Sequence, residues 1–233
     1  MSFDDLLTTL DVECQLAIGA LADLANADFS EPTRCPPWDV RVLVGHMIRD
    51  LDRVLTYLEE PATDATTTDP AKTDVVAYWR SYDPRSEGAT ITASSIETAD
   101  RYGSSAALVR GLDETLRRCI DRAGAEDPGR ILRTRLTTIR LDEFLKTRIL
   151  EIGVHGLDLA DALGRDPWLT SAAGVVILEI LRGLLGDDPS LSLGASLGWS
   201  DLVFIETGTG RRALTDGERA FLGDRADAFP LLG

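Results

Sequence analysis

Two histidines and one glutamate carry the chemistry that this sequence can support. Glu151 and His155 stand four residues apart in the run TRILEIGVHGLDLADALG, and the only other histidine, His46, lies far upstream in GHMIRD. On a helix, residues four apart share a face, one turn above the other. At about 100° per residue, an apolar stripe runs through Leu141, Phe144, Leu145, Ile152, Leu159 and Leu163, with Glu151 and His155 at roughly −80° and −40° from Leu141. Both therefore flank the buried stripe. A carboxylate and an imidazole turned towards a core are costly to bury unless something binds them. A metal ion is the commonest binder that uses both. The plainer reading of an E-x-x-x-H pair is a Glu–His hydrogen bond, or two side chains left in water.

His46 stands at the border of the stripe on its own helix, about −120° from the centre, with Leu43 and Asp50 between. A border position can face a neighbouring helix, although a lone histidine there is more often a surface residue. Two imidazoles and one carboxylate from two helices would leave a divalent ion one open position for water or substrate. Zinc suits that set, and nickel, iron or manganese can also use it. Such an ion lowers the pKa of bound water or holds a thiol as thiolate, and spacing does not choose between these. Asp158, one turn beyond His155, either orients a ligand or serves as an acid or base. The chain has no H-E-x-x-H, no G-x-G-x-x-G, no P-loop and no G-x-S-x-G.

The elements that must position these residues are mostly helices. Phe3, Leu6, Leu7, Leu10, Cys14, Ala17, Leu21 and Leu24 recur at helical spacing and predict a first helix over 3–26, with Cys14 as a small core residue. Prolines in the Cys35-Pro36-Pro37-Trp38 turn hold the chain extended, and Asp39 is placed to cap a second helix from Val40 to Glu59. Residues 61–73 read as a loop, and a short helix comes next over 74–81. The stretch 83–102 is weakly patterned and predicts no element. Helical periodicity resumes over 103–124, Ile131–Ile139 reads as extended, and a helix over 141–163 ends at Gly164 and Pro167. Beyond that, an apolar helix over 170–185 precedes short strands at Leu191–Leu197 and Leu202–Ile205, a turn at Gly208-Thr209-Gly210, and a terminal helix opened by a Thr215/Glu218 capping box.

Composition narrows the function. A net charge of −15 over 233 residues argues against binding nucleic acid through its phosphates and against docking on anionic membranes. No apolar run approaches the ~18–20 residues of a membrane span, and MSFDDLL is acidic where a signal peptide starts basic. The 3 cysteines are odd in number and widely spaced, so a reducing cytoplasm is the simplest compartment.

Three stretches in order, PPWDVRVLVGHM, TRILEIGVHGLDLADALG and TGTGRRALTDGERAFLGDRADAFPLLG, resemble the mycothiol-dependent maleylpyruvate isomerase family of the DinB-like superfamily. The resemblance implies a mainly α fold: a DinB-like metal-binding four-helix bundle over 1–166, followed by a small α/β C-terminal domain over 167–233. It implies a divalent metal, most often Zn2+, held by His46, Glu151 and His155. It also implies mycothiol as thiol cosubstrate, presented as a thiolate and added to a small electrophilic substrate. Release of the adduct makes an isomerase, and retention makes an S-transferase. Arg211 and Arg212 are the candidates for an arginine of the second domain that contacts substrate, and Asp158 is a further candidate in the site. The implied setting is a cytoplasmic, actinobacterial monomer or homodimer. Two other readings share these residues: a non-catalytic DinB-like protein that binds metal or a small ligand, and a metal-dependent hydrolase that needs no thiol.

Overall fold

The computed structural model describes residues 1–60, 74–186 and 196–232, so the expected loop over 61–73 and most of the first expected strand lie outside the described residues. The chain divides into two units, Met1–Ala173 and Gly174–Gly233. In the first, α1 (Phe3–Ala22), α2 (Val40–Glu59), α5 (Ser105–Gly124) and α6 (Leu141–Ala162) form a bundle, with α1 and α2 each packed on α5 and α6. The short α3 (Val75–Arg80) lies on α6, and α4 (Pro84–Asp100) lies along α2. The mainly helical bundle is the fold the sequence predicted.

The bundle forms because each long helix carries an apolar stripe wide enough to be buried. Val40, Val44, Met47, Leu51 and Val54 of α2 are fully buried, as are Leu108, Leu112 and Leu116 of α5. Asp39 caps α2 as expected, accepting from the Val42 amide at 2.8 Å. At the other end Arg122 and Arg130 donate to the Leu58 carbonyl at 3.2 and 3.0 Å, satisfying a carbonyl that a helix end leaves orphaned. The expected extended stretch is a hairpin, β1 (Ile131–Arg133) antiparallel to β2 (Thr138–Arg140). It feeds directly into α6, whose first amide donates to the Arg130 carbonyl at 2.8 Å.

The helix α4 was not legible from apolar periodicity, and its packing gives the reason. Its buried face is made of Ser95, Thr98 and Ala99, which are small or polar. They pass close to Gly45 of α2, where a Cβ would meet the Ser95 carbonyl at 2.6 Å and the Ala99 side chain at 2.9 Å. The missing side chain at position 45 lets two backbones approach. Arg41 ties the same pair of helices together by donating to the Ala99 and Tyr102 carbonyls at 2.8 and 2.7 Å.

In the second unit the described elements include α7 (Ser171–Leu185, which begins at the boundary), α8 (Asp201–Gly208), α9 (Asp216–Leu222) and a 3-10 helix over Gly223–Ala228. Leu202–Ile205, expected as a strand, is instead the body of α8. Ser200 caps this helix by accepting from the Val203 amide at 3.3 Å. Of the other expected strand, Ser196 and Leu197 are helical. The capping box of Thr215 and Glu218 opens α9 as expected. Leu214, Leu222 and Ala226 form a small core with Leu185, Leu197, Trp199 and Phe229 around it. Among the described residues no helix is long and apolar enough to cross a membrane.

Replacing Gly45 by alanine drives a methyl group into the α4 backbone, and overpacking of that kind costs about 1–3 kcal/mol. Chemical denaturation is expected to show that loss, and a Gly45→Ala protein as stable as the parent would contradict the close approach.

Candidate metal centre

The two long helices that carry the histidines bring them face to face. The His46 Nε2 atom lies 3.4 Å from Glu151 Oε2, and His155 Nε2 lies 3.2 Å from the same oxygen. The three donor atoms all fall within 4.8 Å of one another. For metal–ligand bonds of about 2.0–2.2 Å, a tetrahedral ion needs donor atoms roughly 3.3–3.6 Å apart. The two histidine–glutamate separations lie within about 0.1 Å of that spacing. His46 and His155 are buried at 4% and 7% exposure, while the Glu151 side chain keeps 19%.

The surroundings of the imidazoles fix which nitrogen faces the centre. His155 Nδ1 is 2.9 Å from Asp158 Oδ2, a carboxylate that can only accept, so Nδ1 carries the hydrogen. His46 Nδ1 is 3.4 Å from Ser95 Oγ, whose own hydrogen goes to the Ile91 carbonyl at 2.8 Å. Ser95 is thereby left as an acceptor, and His46 Nδ1 becomes a donor. Both Nε2 atoms then present lone pairs to the same carboxylate oxygen, an arrangement that only a positive charge between them can hold together. A proton serves: burial pulls the His155 pKa down, but hydrogen bonds with Asp158, Cys35 and Glu151 outweigh it and hold the pKa well above its usual value. Burial likewise raises Glu151, and its bonds to His155 and His46 reverse that and hold its carboxyl well below the usual range. A divalent cation serves equally, and two imidazoles with one carboxylate are a donor set that zinc uses. The residues fit the metal.

Several groups in the site were not legible in the sequence. Cys35 donates its thiol hydrogen to Asp158 Oδ2 at 3.1 Å, and Arg34 pairs with the other oxygen at 3.3 Å. Cys35, His155 and Asp158 form a second group with metal-ligand atoms within 4.8 Å. The Trp38 ring stands 4.8 Å from the His46 ring and 6.1 Å from the His155 ring, held by its indole N–H on Thr92 at 3.1 Å. The Trp38–Thr92 and Cys35–Asp158 contacts span 54 and 123 residues, so local spacing could not reveal them. The one local signal was the Cys-Pro-Pro-Trp turn just ahead of α2.

A buried ion pair meets His46 at the same nitrogen that faces the centre. Asp50 Oδ2 is 3.2 Å from both His46 Nε2 and Arg148 Nη1, without forming a hydrogen bond of good geometry. Arg148 is 1% exposed and sits 4.8 Å above the Phe144 ring. Burial pushes the Asp50 carboxyl up, but the positive fields of His46 and Arg148 outweigh it and hold it below the ordinary value of 3.8.

The structure thus brings together His46, Glu151, His155 and Asp158. Arg211 and Arg212 belong to the second unit. There Arg211 donates to the Thr209 carbonyl at 2.7 Å, and Arg212 pairs with Glu218 at 2.8 and 3.1 Å beside Trp199.

Removing Arg148 strands a buried carboxylate, which typically costs about 3–5 kcal/mol, so Arg148→Ala is expected to lower the unfolding midpoint sharply. The sign with pH comes from the depressed Asp50 pKa: its contribution is full above about pH 4 and is lost as pH falls through the lower folded-state value. Urea titrations of both proteins at pH 7 and pH 3 test this, and an equal difference at both pH values would refute it.

Residues 10–160 match the protein family described as the mycothiol maleylpyruvate isomerase N-terminal domain. A search of curated proteins returns no match. Among solved structures, the crystal structure of the mycothiol-dependent maleylpyruvate isomerase aligns with a TM-score of 0.49 at 17% identity, covering 79% of this chain and 68% of that one. The matched segment holds all four long bundle helices except the ends of α1 and α6, together with every residue of the candidate centre, and the chain belongs to the mycothiol maleylpyruvate isomerase N-terminal domain family.

Proposed function

We propose that the first unit holds a divalent cation between His46, Glu151 and His155, and that the protein adds a low-molecular-weight thiol to a small electrophile. Zinc is the cation the donor set favours, and mycothiol is the thiol that the family suggests. The observation that carries this reading is the pair of Nε2 lone pairs turned on one carboxylate oxygen, with both Nδ1 atoms already committed. When bound there, such an ion lowers the pKa of a thiol that reaches it.

The chain's own residues do the rest. Asp158 and Ser95 hold the two rings in the donor tautomer, the role outer partners of ligating histidines commonly play. Trp38 covers the imidazoles with an apolar face and keeps water from that side. The thiol sulfur supplies the electron pair for a new C–S bond, and the thiol proton ends on the other atom of the opened double bond. If the adduct is the product, the reaction is an S-transfer. If it rotates about the former double bond and expels the thiol, the substrate is isomerised with no net change in atoms.

Elemental analysis is expected to find about one divalent ion per chain, lost in His155→Ala. Thiol consumption with a panel of activated alkenes should track metal content, and full thiol addition by metal-free protein would sink the proposal. Turnover of a substrate with no thiol present would instead identify a hydrolase.

Asp158→Asn is expected to weaken metal binding by about 10–100-fold, read by competition with a chromophoric chelator. Unchanged affinity would remove Asp158 from the orienting role.

A further inference from the structure

The resemblance placed a substrate-reading arginine in the second unit, yet Arg212 there is already satisfied by Glu218. The first unit holds a different concentration of positive charge. His46, Arg49 and Arg53 are spaced by three and four residues on α2 and so share a face, with Arg49 about 4.5 Å further along the axis than His46. The Arg49 side chain is 11% exposed and meets a carboxylate at Asp50 Oδ1, 3.5 Å away. That single carboxylate also faces Arg148 and His46 at 3.2 Å each. Arg53 makes no ion pair among the described residues. Arg135, at the tip of the β1–β2 hairpin, pairs with Glu87.

In a chain of net charge −15, this is a local excess of cations over anions. Burial first, then the field of Arg53, lowers the Arg49 pKa; Asp50 opposes them, and Arg148 and Arg135 add to the repulsion. The same region borders the centre, since the Asp50 carboxylate stands 3.5 Å from Arg49 Nη1 and 3.2 Å from His46 Nε2. A largely buried guanidinium whose one counter-ion among the described residues is shared is a ready partner for a bidentate carboxylate.

We infer that Arg49, assisted by Arg53 one turn beyond, recognises a carboxylate on the ligand of the neighbouring centre. The inference deepens the proposed function and rests on it for the identity of that ligand. The carboxylate belongs to the electrophile. Arg49 and Arg53 set specificity, with no part in bond making.

The test compares the unsubstituted protein, Arg49→Gln, Arg49→Lys, Arg53→Gln and Arg212→Gln, all metal-loaded. Calorimetry with succinate reads the subsite without any reaction. Arg49→Gln is expected to weaken succinate binding about 10–100-fold, as loss of a charge-assisted hydrogen bond does, with metal content unchanged. Arg53→Gln should shift it less in the same direction, and Arg49→Lys should retain part of it.

Turnover with an activated alkene acid and its methyl ester, using 2-mercaptoethanol, reads a carboxylate on the electrophile. A fall in the acid-to-ester ratio of kcat/KM in Arg49→Gln supports the inference. Succinate binding that depends on Arg49, with no thiol addition by any form, rejects the proposed function and leaves the subsite standing. The inference is overturned if the unsubstituted protein does not bind succinate, if Arg49→Gln binds it equally well, or if Arg212→Gln alone reproduces the loss.

Discussion

Two nitrogen lone pairs aimed at one carboxylate oxygen in a mostly buried place repel one another, and the rest of this bundle is built around the positive charge that must sit among them. Neither imidazole can turn away, because its other nitrogen is spoken for. Asp158 holds one ring, and Asp158 is held in turn by Cys35 and Arg34. Ser95 holds the other, with its own hydrogen spent on Ile91. A cation can enter such a place with little rearrangement, since the donor atoms already stand at ligand spacing.

The positioning is done by helix interiors. Glu151 and His155 sit on successive turns of α6, and His46 sits in the middle of α2, where backbone geometry is least free to vary. The close pass of α4 at Gly45 is what carries Ser95 to His46. At the centre-facing nitrogen of the same ring, the buried Asp50–Arg148 pair sets the local field. A buried pair of this kind adds little net stability once its desolvation is counted. Its value here is the fixed negative charge it places beside an imidazole.

The bundle was legible because it rests on local periodicity, whereas the three central residues were singled out as a set by the family resemblance. An i,i+4 Glu–His pair on the flank of an apolar stripe is visible in one helix, and His46 at a stripe border is visible in another. Partners brought in from a distance along the chain, such as Ser95 by the α2–α4 approach or Cys35 by the proline turn, leave no local trace. The helix α4 escaped because Ser95, Thr98 and Ala99 bury a small, polar face that has no apolar rhythm. Its start was nevertheless marked, since Asp83 before Pro84 is a cap followed by a first-turn proline. The expected strand at Leu202–Ile205 failed for a different reason. Four apolar residues in a row fit a strand or a buried helix equally well, and Ser200 with Asp201 was the deciding signal.

Every side chain described at the centre, from Arg34 to Asp158, is encoded before the second unit begins. The donor atoms that could hold a cation are therefore encoded as one continuous block. Sequence changes confined to the segment beyond residue 173 leave every one of those side chains unaltered.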